Sequence, residues 1–93
     1  MREHDLVWIF HGEGAQFACA AFASKASAIS WISSAGVTGV LTAYRIGISA
    51  YDWATERGVF SAKRDDQRSA KFVQRFTSAS QDHHHFEDGK PTT

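Results

Sequence analysis

Leu6-Val7-Trp8-Ile9-Phe10-His11, ended by Gly12-Glu13-Gly14, is a run of β-branched and aromatic residues that stops at a turn, and it reads as a strand. Alternation puts Leu6, Trp8 and Phe10 on one face and Val7 and Ile9 on the other. Both faces are apolar, which suits a strand inside a sheet more than one at its edge. His11 then stands where the strand meets its turn.

After the glycines, Gln16 to Ala23 supplies a second strand and the pair makes a hairpin. Its alanines are poor strand formers, so neighbours must pin this strand, and something bulky must pack close over it. The following segment fits that need. Ser24 as N-cap and Gly36 beyond the C-terminus bracket a helix over Lys25 to Ala35, with Ala28, Ile29, Ile32 and Ala35 in one stripe and Trp31 at its flank. Thr38 to Tyr44 returns as a third strand. A second helix starts at Ser49 and ends at Gly58, and Asp52 in its first turn reads as part of the cap, where the helix dipole favours a carboxylate.

Residues 59 to 69 are charged and without a period, which predicts a loop. Phe72 to Thr77 is ambiguous: Phe72, Val73, Phe76 and Ala79 would form a helical stripe, yet the β-branched and aromatic residues at its centre favour a strand. His83 to Glu87 is its expected hairpin partner, and residues 90–93 are expected to be a frayed tail. The chain thus predicts one α+β domain over residues 1–89, a small antiparallel sheet in the order ββαβαββ with its helices packed on the sheet.

Bulk properties narrow the function. With 93 residues there is room for one modest core, and apolar residues at 43% place the chain among globular proteins. Ten Lys and Arg balance ten Asp and Glu, so no global field draws it to nucleic acid or an anionic membrane. The basic residues Arg57, Lys63, Arg64, Arg68, Lys71 and Arg75 read as a solvated loop, since no glycine-rich cradle or interleaved stacking pattern is evident among them. The single Cys19 lies in an apolar run, where a buried, inert thiol is expected. No stretch has the length of a membrane span, and the expected address is cytoplasmic.

The segments WIFHGEGAQF (Trp8–Phe17), TGVLTAY (Thr38–Tyr44), YDWA (Tyr51–Ala54) and FTSASQDHHHFEDG (Phe76–Gly89) resemble a family of small uncharacterised bacterial proteins, a domain of unknown function. The resemblance spans nearly the whole chain. It implies that the three adjacent histidines belong to the natural protein, and it brings no catalytic role with it.

The residues richest in chemistry are those histidines. In an extended segment His83, His85 and Glu87 share one face while His84, Phe86 and Asp88 share the other. Two histidines at i and i+2 lie about 7 Å apart along a strand, within reach of a common metal ion. A third ligand would come from His11, Glu13 or Glu87. Ser78 and Ser80 stand beside an acid and a histidine, but without a strand-turn-helix elbow or an oxyanion loop, and such turn residues usually satisfy backbone donors. No catalytic signature emerges, and an enzyme of this size would need a shared interface to enclose a pocket.

The favoured reading is therefore a binding or interaction module without a cofactor. It presents a His-rich hairpin, with His11, Glu13, Tyr44, Ser78, Ser80, His83, His85 and Glu87 as the contact surface for a protein partner or a second copy in a homodimer. The alternative is a metal-binding protein holding zinc or another divalent transition metal through His11, His83 and His85.

Overall fold

Strand β1 (Leu6–Gly12) lies inside the sheet, as its two apolar faces require. In the computed structural model, which describes residues 5–92, β2 (Ala20–Phe22) pairs with one side of it and β3 (Gly39–Arg45) with the other. Next come β4 (His83–Glu87) against β3 and β5 (Lys90–Thr92) against β4, giving the order β2-β1-β3-β4-β5 with every pair antiparallel. Both edge strands are three residues long, and one of them contains Pro91.

Register assigns each side chain to a face. Opposed residues point the same way, so Phe22, Trp8 and Ala43 form one row, Ala20, Phe10, Leu41 and His84 a second, and Gly12, Gly39, Phe86 and Pro91 a third. This is the core face. Helix α1 (Lys25–Ala35) lies across it, and Trp8, Phe10, Ala28, Ile32, Leu41, Ala43 and Phe86 form a single buried cluster. Phe10, Ile32 and Leu41 are fully enclosed, each such burial being worth about 1.5–3 kcal/mol before entropy is counted. The half-buried Trp31 closes the margin, edge-on to Phe10 with ring centroids 5.7 Å apart.

The helix ends follow their local signals. The Ser24 hydroxyl accepts from the Ser27 amide, and Gly36 takes the left-handed conformation at φ 68°. In α2 (Ala50–Glu56) the Ser49 hydroxyl accepts from the Asp52 amide, and the exposed Asp52 carboxylate sits in the first turn. Trp53 and Ala54 are buried beneath it, with the guanidinium carbons of Arg45 and Arg57 lying 5.0 and 5.8 Å from the Trp53 ring centroid.

Five expectations need correction. The second strand is confined to Ala20–Phe22, and Cys19 just before it is exposed instead of buried. Phe72 to Thr77 is not a strand: α3 (Ala70–Val73) occupies its start, capped by the Ser69 hydroxyl, and the turn after it sets Phe76 beside Phe72 against Tyr51. Consequently β4 pairs with β3 and β5. The expected tail also carries structure, for Lys90–Thr92 is β5, with Thr93 lying outside the described residues.

A two-residue turn makes that last hairpin. Asp88 and Gly89 both have positive φ, 52° and 83°, as a type I′ turn requires, and Asp-Gly is a favoured pair there. The turn is tied down by the Gly89 amide on the Val37 carbonyl at 2.8 Å and the Asp88 amide on the Thr38 hydroxyl at 3.0 Å.

Gly39 is the tightest point of the core face. A methyl group there would collide with the His11 carbonyl oxygen and stand 2.7 Å from the Phe10 ring and 2.9 Å from the Gly12 Cα. Gly39→Ala is therefore expected to destabilise the fold by about 1–3 kcal/mol, measured as a lowered urea midpoint with an unchanged slope.

Candidate functional site

Among the described residues, no helix covers the opposite face of the sheet. Its rows are Val7 with Tyr44; Ala21, Ile9, Thr42 and His83; and His11, Val40, His85 and Thr92, with Glu87 facing Lys90 beyond. None of these residues is fully buried, whereas the core face holds the entire buried cluster. Val7, Ile9, Val40, Tyr44 and His83 are half-buried; His11, His85 and Glu87 are exposed.

The expected site residues fall into three groups. His11, Glu13, His85 and Glu87 converge on an open cleft of 500 Å³ at one end of the sheet. His83 and His85 touch each other, their rings at 5.4 Å and nearly perpendicular, while Tyr44 stands one row beyond His83. Ser78 and Ser80 lie elsewhere, in the turn that leads into β4. There the Ser78 hydroxyl accepts from the Ser80 amide and the Gln81 side chain accepts from the Ser78 amide. These bonds use the groups to close the turn.

Hydrogen bonding fixes two of the imidazoles in opposite tautomers. His83 Nδ1 lies 2.8 Å from the Gln81 carbonyl and His11 Nε2 lies 2.7 Å from the Ala15 carbonyl. A carbonyl only accepts, so each of these nitrogens carries the proton in the neutral ring. His83 is left with its Nε2 lone pair and His11 with its Nδ1 lone pair. The bond to Ala15 also folds the His11 ring back onto its own turn, and Val40 stands between it and His85 in the row. Among the described residues no group of three His, Cys, Asp or Glu is placed to hold a metal ion.

His84 faces the core side. Its ring lies over Trp8 at 6.2 Å, and its buried Nε2 stands 3.4 Å from the Asp82 carboxylate, near enough for an ion pair when protonated but without a hydrogen-bond alignment.

One feature escapes the sequence reading. Tyr51, Phe60, Phe72 and Phe76 form an aromatic nucleus outside the sheet, joined by the Tyr51 hydroxyl donating to the Gln67 carbonyl at 2.8 Å. The helical spacing of Phe72 and Phe76 was its only local trace. Beside it, the exposed Arg64 guanidinium donates to Asp66 at 2.9 Å and, through that bond, holds the Asp66 carboxyl below the usual carboxylate range.

Long-range ¹H–¹⁵N correlation spectra of the neutral imidazoles should show His83 as the Nδ1–H form and His11 as the Nε2–H form. A common tautomer for both would contradict this hydrogen bonding.

No helix among the described residues is long and apolar enough to cross a membrane. Searches of curated proteins and of solved structures find no match to the chain. A family model does match, over residues 7–92, and so takes in all five strands but for Leu6 at the start of β1. The chain belongs to that family, a domain of unknown function, DUF7710.

Proposed function

We propose that this domain is a protein-binding module and that its contact surface is the helix-free face of the sheet. The observation that supports the reading is the make-up of that face: Val7, Ile9, Val40 and Tyr44 lie half-open beside the paired rings of His83 and His85. Apolar side chains grouped on an open protein surface and rimmed by polar ones are characteristic of contact sites when the patch is large. The partner is a protein that sets apolar side chains against Val7, Ile9 and Val40 and polar groups against the histidine pair, with His11, Glu13 and Glu87 at the rim. A sheet face of this kind is rigid, so little ordering entropy opposes docking.

A photo-crosslinking amino acid at Tyr44 tests this in cells. The expected product is a discrete crosslinked species that a probe at Ser34, on exposed α1, does not form. Its mass tells a second copy from another protein. Crosslinks from Ser34 and none from Tyr44 would reject the reading.

One observation favours a second reading, a zinc or other divalent transition-metal ion bound by His83 and His85. The Nδ1–H of His83 is held by a backbone carbonyl, an arrangement that orients histidine ligands and leaves Nε2 free to bind. His11, which keeps its Nδ1 lone pair, is set apart from this pair by Val40 in the row. Calorimetric titration with Zn²⁺ or Ni²⁺ decides: binding lost in both His83→Ala and His85→Ala supports the metal reading, and unchanged heats in those variants reject it.

A further inference from the structure

The chain leaves the sheet after Arg45 and returns at His83, although β3 and β4 are antiparallel neighbours that a short turn could join. The excursion holds itself together by the rings of Tyr51, Phe60, Phe72 and Phe76, whose centroids lie between 4.9 and 6.2 Å apart. None of these rings belongs to the cluster around Phe10. A nucleus that served only to hold the excursion together would enclose its rings. Phe60, Phe72 and Phe76 are instead half-buried, Val59 beside them is 49% exposed, and all four line an open cleft of 780 Å³.

Charge on the cleft is one-sided. Lys71 and Arg75 line it, four residues apart, and among the described residues neither is paired with a carboxylate. The one acid in the lining, Asp66, is already held by Arg64 at 2.9 Å. Bare aromatic rings accept a planar apolar body by stacking or edge contact, and a guanidinium beside an ammonium favours a carboxylate or phosphate. The volume falls within the range of small-molecule sites.

We propose that this cleft is a binding site for a small anionic molecule built on a planar ring, its ring seated against Phe60, Phe72 and Phe76 and its carboxylate or phosphate held by Lys71 and Arg75. The site lies on the excursion, apart from the sheet face, and it stands or falls independently of the protein-binding reading. Aryl carboxylates and nucleoside monophosphates share this chemistry.

Amide-detected NMR titration of the full chain with 2-naphthoate, AMP and the uncharged 2-naphthalenemethanol tests it. The expected result is saturable shifts at Phe60, Lys71, Phe72 and Phe76 with naphthoate or AMP, and weaker binding of the alcohol. The anion that saturates identifies the source, carboxylate or nucleotide. Lys71→Glu and Arg75→Glu change exposed residues, so the fold should persist, checked by unchanged amide dispersion elsewhere. Each should weaken binding about tenfold, a loss of about 1.4 kcal/mol, while Lys63→Glu, an exposed charge outside the cleft, should leave it unchanged. The proposal is overturned if neither anion binds saturably at the cleft, if the alcohol binds as well as the acid, or if Lys63→Glu weakens binding as much as Arg75→Glu.

Discussion

The ring of Phe10 lies so close to the backbone of Gly39 that no side chain fits between them, and the arrangement of the core follows from that contact. Phe10 is fully enclosed, so it must be roofed as well as floored. The roof is α1, through Ile32 and the edge of Trp31; the floor is the glycine pair Gly12 and Gly39, opposed across β1 and β3. The space beside the glycines is filled from β4, where Phe86 stands opposite Gly39. One large residue against two absent side chains thereby couples three strands and the helix, as close packing of an interior demands.

Because α1 covers one face only, the sheet is two different surfaces sharing one backbone. Side chains a single residue apart in the chain meet unlike environments: Phe86 is in the core while His85 is in water, and His84 lies over Trp8 while His83 lies on the open side. Three adjacent histidines are thus not one cluster. The pair at His83 and His85 is separated from His84 by the thickness of the sheet, and the surroundings of each follow from that division.

Local chemistry made much of this legible. Ser24, Gly36 and Ser49 mark helix ends because their signals depend on backbone groups within a few residues. The alternation of His83 to Glu87 and the central place of β1 could be read for the same reason, since a period of two needs no knowledge of neighbours. What escaped depends on contacts distant in sequence. Phe72 and Phe76 have strand-like propensity, yet Phe72 sits in a short helix and Phe76 just beyond it, both packed against Tyr51 and Phe60. Cys19 has apolar neighbours in the sequence, but the strand begins only at Ala20 and leaves the thiol exposed. The last strand is a different case: Asp88-Gly89 is a hairpin signal in its own right, although the short segment beyond it resembles a tail. The site was legible as residue types and faces. That His11 bends back to Ala15, and that Ser78 and Ser80 close a turn away from the histidine pair, are matters of geometry that spacing does not encode.

The short borders of the sheet have an implication of their own. A strand at the margin of a sheet is a ready template for another chain, and long flat margins lead to continuous ladders and fibres. Here each margin offers three residues, and on one side Pro91, which has no amide hydrogen to contribute, sits in the middle of them. Among the described residues neither margin supplies a ladder of useful length. The protein can therefore leave an apolar strip open to water while denying other chains the route by which exposed β structure ordinarily polymerises.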